Sequence, residues 1–141
     1  MRVMDVNLWA VLVSALATMV VGFLWYSPWL FARRWMILMG LDPDDKAKIA
    51  QMKKSAAPSY ILSLVASALA AAVLGKIIAV ATIDTALYGM KVGLAVWLGF
   101  VTTVQLTNSL FSQQPAKLYA INTGYQLVCF LAMGAIMGAW R

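Results

Sequence analysis

The sequence predicts an all-α membrane protein, in which four transmembrane helices form an antiparallel bundle with a short interfacial helical segment between helices 1 and 2. Two observations carry this prediction. The 141 residues are 63% hydrophobic and 11% charged, whereas an ordinary soluble domain is about 45–50% apolar and about 25% charged. The apolar residues also fall into four long runs, each of which reaches the roughly 20 residues that a helix needs to cross a bilayer.

The four runs are residues 7–26, 58–81, 85–111 and 115–140, within a single integral membrane domain that covers 1–141. Each run is expected to be helical, because backbone groups in lipid must satisfy their own hydrogen bonds. Pro28 cannot continue the first helix, whereas Pro58 and Pro115 suit the first turns of the second and fourth. Asp84 is placed to cap the third. The short turns between the later runs predict antiparallel neighbours.

The segment 27–57 is the one substantial loop, and we expect its first part to lie at the membrane surface. Trp and Tyr prefer the level of the lipid headgroups. An apolar segment that also carries arginines lies in the same plane. The predicted interfacial anchor comprises Trp25, Tyr26, Trp29, Arg33, Arg34 and Trp35.

The basic residues predict the orientation in the membrane. Cytoplasmic loops carry an excess of Lys and Arg, and the side of the first and third loops holds Arg33, Arg34, Lys46, Lys48, Lys53, Lys54 and Lys117. The opposite side holds Arg2, Lys76, Lys91 and Arg141. The loop 27–57 is therefore expected in the cytoplasm and both termini outside. The net charge of +6 does not indicate a nucleic-acid partner, because most of it lies beside a membrane segment.

Small residues recur at four-residue spacing along the later runs. This spacing lets helix backbones approach closely in lipid, where no hydrophobic effect drives helices together. The small residues either pack the helices of one bundle or form a subunit interface, for which Gly134–Gly138 is the best candidate. The candidate packing residues are Ser59, Ser63, Ser67, Gly89, Gly93, Gly134 and Gly138.

Two further groups of residues are candidates for a site. Four amides flank the last turn at matched distances from it, namely Gln105, Asn108, Asn122 and Gln126. A buried amide without a partner is costly, so we expect them to hydrogen-bond across the last hairpin; the alternative is a polar ligand site between the helices. Lys76 and Lys91 flank the turn before the third run, where lysines normally extend to the interface. Their alternative role is an anionic headgroup site.

Several features that enzymes commonly use are absent from the sequence. The chain has no histidine, which is the commonest general base and metal ligand. Its single cysteine, Cys129, excludes an internal disulfide, and none of the four runs contains an acidic residue. We therefore predict no enzyme activity, no catalytic residues, no cofactor and no metal.

Specific motifs lie at both ends of the chain. Asn7 and Gly22 precede Trp25-Tyr26-Ser27-Pro28, and the last runs carry Asn108, Leu110-Phe111, Pro115 and Gly124-Tyr125. In these motifs the chain resembles a bacterial membrane-protein family catalogued as domain of unknown function 1761, although Ala32 stands where glycine is expected. The resemblance implies four membrane helices in the bacterial inner membrane. It supplies no catalytic residues and no activity.

Two functional hypotheses follow. The first is a structural or accessory subunit that self-associates or joins a larger membrane complex. The second is a protein that binds or transports a lipid or a small amphipathic molecule. The lipid bilayer is a partner under both. A carrier requires the four amides to line an accessible cavity, whereas a scaffold requires them to be sealed and the glycines to lie at a protein contact.

Overall fold

The computed structural model describes residues 6–140, which are helical with short connections. Arg2 and Arg141, which enter the charge comparison above, lie outside the described residues. The α-helices are α1 (Leu8–Trp25), α2 (Ala32–Leu38), α3 (Lys46–Lys54), α4 (Ala57–Val80), α5 (Ala86–Val96), α6 (Thr102–Phe111) and α7 (Ala116–Ala139). A π-helical turn, Trp97–Val101, joins α5 to α6 so that Ala86–Phe111 forms one continuous helix.

Four helices are long and apolar enough to cross a membrane: α1, α4, the continuous helix of α5 and α6, and α7. The all-helical class and the number of membrane-length helices predicted from the sequence are thereby confirmed. Each helix begins and ends within one residue of its predicted run. The agreement follows from length and hydropathy, which suffice to locate helices that must span lipid.

The ends of these helices confirm some of the predicted boundary signals. Pro58 lies in the first turn of α4 as predicted, whereas Pro115 has an extended backbone and directly precedes α7 instead of lying in its first turn. The prediction that Asp84 caps the third membrane helix is wrong. Thr85 is the cap, because its extended backbone lets its hydroxyl accept a hydrogen bond from the Tyr88 amide at 3.3 Å.

Helix α7 is the centre of the structure, since α1, α4 and α5 all pack against it. The contact between α5 and α7 is the closest of these. A Cβ added to Gly89 would strike the carbonyl oxygen of Gly134, and a Cβ added to Gly134 would strike that of Gly89. Gly93 and Gly138 meet backbone of the opposite helix in the same way. All four glycines are thus used within one chain.

The π-helical turn separates two halves of the third membrane-length helix that pack differently. Helix α5 lies along α7 over most of its length, whereas α6 contacts α7 much less. The wider turn leaves carbonyl groups that need other donors. The Leu98 carbonyl accepts from the Thr102 hydroxyl at 2.6 Å, and the Gly99 carbonyl accepts from the Thr103 hydroxyl at 3.0 Å. The Trp97 indole donates to the Thr123 carbonyl at 2.9 Å, which attaches this turn to α7.

The backbone contact between α5 and α7 makes a matched pair of substitutions informative. Gly134→Ala should lower the free energy of unfolding by about 1–3 kcal/mol, because the new methyl group forces the two backbones apart. Gly99→Ala adds the same methyl group where nothing lies within 4 Å, so it should leave stability unchanged or slightly higher. Unfolding by SDS titration of both purified variants measures the difference. Equal stability of the two variants would contradict the packing described here.

Candidate functional site

An open groove runs along the surface of the structure between α4 and the continuous helix of α5 and α6. Its volume is about 710 Å³. Helix α7 forms the floor through Tyr125, Gln126, Cys129, Phe130 and Met133. The groove extends along α4 from Ser63 to Ile77, which covers most of the length of that helix.

Short side chains on α4 explain why this groove exists. Ser63, Ala66, Ser67 and Ala70 all line it, and their spacing places them on one face of the helix. None of these side chains is long enough to fill the space toward the opposite wall, where Val101 and Val104 lie. The predicted packing residues Ser63 and Ser67 thus face the groove. Ala71 and Gly75, which continue the same four-residue spacing on α4, are instead buried in the core.

Two amides give the groove its principal polar groups. Gln105 reaches it from α6 and Gln126 from α7. The Oε1 atom of Gln105 is shielded from solvent and has no hydrogen-bond partner within the described part of the chain. Because an unpaired buried amide oxygen is costly, this side chain favours any arrangement that brings a hydrogen-bond donor to it.

The four amides of the predicted cluster do not meet as one group. Only Gln105 and Gln126 lie on the groove. Asn122 instead accepts a hydrogen bond from the Tyr26 hydroxyl at 2.7 Å, and Asn108 is exposed. The last hairpin is joined by a different bond, which runs from the Tyr119 hydroxyl to the Thr102 carbonyl at 3.0 Å.

A reciprocal contact of aromatic residues and glycines, which we call the aromatic interlock, joins α1 to α7. Trp25 lies over Gly124, where an added Cβ would be 3.1 Å from the indole ring, and its Nε1 donates to the Ile121 carbonyl at 2.9 Å. In return, Tyr125 lies over Gly22, and its hydroxyl donates to the Thr18 carbonyl at 3.3 Å. Each helix thus supplies one aromatic side chain and one glycine.

The residues of the predicted interfacial anchor fall into two groups: some pack inward beside the interlock, and the others are exposed. Trp29 is 89% exposed, and Arg33 and Arg34 are exposed beside it. Tyr26 instead packs inward, with ring centroids 5.9 Å from Trp35 and 5.4 Å from Tyr125. Sequence reasoning missed the inward direction of Trp25 and Tyr26. The signal that could have revealed it is the pair of glycines facing the aromatic residues, Gly22 and Gly124.

The match to a family model covers nearly the whole of this architecture. The model is described as "Protein of unknown function (DUF1761)" and matches residues 9–138. The chain belongs to the DUF1761 family. Neither the comparison with curated proteins nor that with solved structures found a match. The matched range includes every residue of the groove and of the aromatic interlock in this DUF1761 protein.

The remaining candidate residues of this DUF1761 member lie apart from the groove. The Lys91 ammonium stands 4.7 Å from the centroid of the Tyr88 ring, and Lys76 is half-buried on α4. Ser59 is exposed near the start of α4. Within residues 6–140, no group of three or more His, Cys, Asp or Glu side chains is arranged to hold a metal ion.

The hydrogen bond between Tyr26 and Asn122, which lies beside the interlock, provides a direct test of how the end of α1 is held against α7. In a double-mutant cycle of Tyr26→Phe and Asn122→Ala, the coupling free energy should be about 0.6 kcal/mol, and at most about 1.7, as for other side-chain hydrogen bonds between membrane helices. SDS-titration unfolding of the wild type, both single variants and the double variant supplies the four values. Strictly additive effects would show that the two side chains do not interact.

Proposed function

We propose that the groove binds a small amphipathic molecule of the bilayer, such as a lipid with a hydrogen-bonding group beside an apolar chain. The observation that carries this proposal is the pair Gln105 and Gln126 on a groove that is otherwise mostly apolar and open. Ligand sites typically combine an apolar lining with a few polar groups that orient the ligand. On this proposal the protein binds its ligand without converting it, and nucleic acid is not a partner.

The size of the groove favours a chain-like ligand over a whole helix. Its volume of about 710 Å³ lies in the range of about 300–1,000 Å³ that is usual for small-molecule sites. A helix placed between Ser63 and Ile77 would be roughly 21 Å long and about 10 Å wide, and would occupy roughly 1,600 Å³. Only one ridge of such a helix would enter the groove. A lipid chain would be enclosed over a much larger share of its surface.

The energetics of Gln105 favour a ligand that carries a hydroxyl or amine group. Hydrogen bonding to the unpartnered amide oxygen would remove a penalty of about 1–3 kcal/mol that the unliganded protein bears. The glycines are not available as a competing docking surface, because Gly89, Gly93, Gly134 and Gly138 already pack against backbone of the same chain.

A second candidate is the structural or accessory role, in which the chain self-associates or joins a larger membrane complex. The observation that favours it is the exposure of Ser59 and Ser63, which stand four residues apart on α4. Small residues at this spacing allow close approach of another helix. In this arrangement a side chain of the partner would enter the groove and meet Gln105.

We further propose that the four long helices cross the bacterial inner membrane as an antiparallel bundle with residues 27–57 in the cytoplasm. The order of contacts supports the antiparallel arrangement, since Gly22 and Trp25 meet Tyr125 and Ile121 in reverse order along α7. The excess of Lys and Arg in the loop 27–57 and at Lys117 supports the cytoplasmic side.

Filling the groove should remove a bound lipid. Ser67→Phe places a ring in the groove and should lower lipid retention by roughly tenfold, equivalent to about 1.4 kcal/mol. Val65→Phe adds a ring to the same helix at a side chain that is 61% exposed and does not line the groove, so retention should be unchanged. Native mass spectrometry of gently extracted protein counts the lipids retained on each chain.

The same spectra distinguish the two candidate functions. A monomer that holds one lipid in the wild type and the Val65→Phe variant, but not in Ser67→Phe, supports the binding proposal. A dimer or larger complex without lipid, which Ser67→Phe dissociates, supports the accessory role instead. Equal lipid retention by all three proteins would refute the groove as a binding site.

The orientation is tested with a single accessible thiol. In a Cys129→Ala background, which lacks cysteine, Ser55→Cys places an exposed thiol directly after α3. A membrane-impermeant thiol reagent should label it only after the cells are broken open. Labelling in intact cells at the same rate would place the loop 27–57 outside and reverse the proposed orientation.

A further inference from the structure

A second groove lies beside α2, where the chain leaves α1. Its volume is about 730 Å³, and three basic residues line it: Arg33 and Arg34 of α2, and Lys117 of α7. Its apolar wall includes Leu30, Phe31 and Ile37. Residues 28–38 and Lys117 are far apart in the sequence, so the groove exists only because α2 folds back toward the start of α7.

The charge of this groove is one-sided. Among residues 6–140, those that line it include three cations and no acid. Among the described residues, the one ion pair formed by these cations joins Arg33 Nη1 to Asp44 at 3.4 Å, and both side chains are largely exposed, at 66% and 75%. Exposed pairs of this kind contribute little. Asp44 compensates at most one of the three cations, so the groove keeps a net positive charge.

The surroundings of the three cations match the membrane interface. Trp29 is 89% exposed and Leu30 is 55% exposed on the same short segment. Exposed aromatic and apolar side chains beside arginines are typical of a segment that lies at the level of the lipid headgroups. An anion that reaches this groove along the bilayer surface would meet the cations and the apolar wall together.

We propose that this groove binds the phosphate of an anionic phospholipid, with the guanidinium groups of Arg33 and Arg34 and the ammonium group of Lys117 around the phosphate oxygens. Guanidinium groups bind phosphate oxygens through paired N–H donors, and basic pockets between membrane helices on the cytoplasmic side bind lipid headgroups. Phe31 and Ile37 face the glycerol and first acyl carbons. A lipid fits this combination better than free phosphate does, because free phosphate has no apolar part that could pack against the apolar wall.

This site is independent of the groove that carries the proposed function. Lys117 and Gln126 are nine residues apart on α7, and at 3.6 residues per turn they stand on opposite faces of the helix. A ligand in one groove does not reach the other. Substitutions in the groove beside α2 therefore test the headgroup site without altering the groove between α4 and the continuous helix of α5 and α6.

The experiment compares two triple variants of equal charge. Arg33→Gln, Arg34→Gln and Lys117→Gln remove the cations of the groove. Lys46→Gln, Lys48→Gln and Lys53→Gln remove three exposed cations of α3, in the same loop and outside the groove. The full chain is reconstituted in phosphatidylcholine nanodiscs, and binding of fluorescent phosphatidylglycerol is titrated. We expect the groove variant to lose roughly tenfold or more in affinity and the α3 variant less than about twofold.

Two additional variants control for misfolding and for the loss of charge alone. Lys117→Gln alone changes one exposed side chain and should weaken binding by a few-fold. Arg33→Lys with Arg34→Lys keeps the charge but removes the planar donor pairs, so affinity should fall between wild type and the triple variant. Circular dichroism confirms that each variant is helical.

Three results would overturn the proposal. Equal losses in the groove and α3 variants would show non-specific attraction to the loop. No loss in the groove variants would show that the groove is not the site. Complete competition by millimolar inorganic phosphate, with equal thermal stabilisation by phosphate alone, would identify a free anion rather than a lipid as the ligand.

Discussion

The rest of the structure depends on the interlock of α1 with α7. In lipid the hydrophobic effect does not bring helices together, so close packing and hydrogen bonds between helices must supply the attraction. The interlock supplies both in one place, because Trp25 and Tyr125 each lie over a glycine and each donate to a backbone carbonyl of the opposite helix. Once α7 is fixed in this way, α4 packs against α1 and α7 together, and α5 meets α7 on another side.

The groove between α4 and the third membrane-length helix arises because the two halves of that helix pack differently against α7. Its first half is held so close to α7 that backbone meets backbone at Gly89 and Gly134. The π-helical turn then changes the direction in which side chains point, and α6 continues with much less contact to α7. Where α6 no longer fills the space beside α4, the short side chains of Ser63, Ala66, Ser67 and Ala70 leave the opening unfilled. Tight packing at one end of this helix thus leaves an opening at the other. Single π-helical turns within α-helices are frequent at functional sites in proteins, which agrees with the proposed role of the groove.

The sequence predicted those features that depend on local chemistry and missed those that depend on rotation about a helix axis. The four helices follow from length and hydropathy, and the place of Pro58 in the first turn of α4 follows from the missing N–H group of proline. The direction of Trp25 does not, because an indole suits the interface and the interior equally well. The four amides form two pairs at matched distances from Pro115, yet the distance along a helix does not determine the direction of a side chain around its axis. Asn122 points toward Tyr26, whereas Gln126, one turn later, points toward the groove. Nothing in the residues of Trp97–Val101 distinguishes a π-helical turn from α-helix.

The residues that carry the family resemblance explain why the resemblance indicates the fold but identifies no ligand. Trp25 and Tyr26 form the interlock and its neighbouring hydrogen bond, and Ser27 shapes the turn, since its carbonyl accepts from the amides of Leu30 and Ala32. Gly124 and Tyr125 complete the same contact from α7. The groove walls at Ser63, Ser67 and Gln105 do not belong to these motifs. Tyr125 belongs to both, since it completes the interlock and also lines the floor of the groove. If the groove binds a ligand as proposed, then Gln105, Gln126 and the short side chains of α4 are the groups that select it, and these favour an apolar chain with a single hydrogen-bonding group.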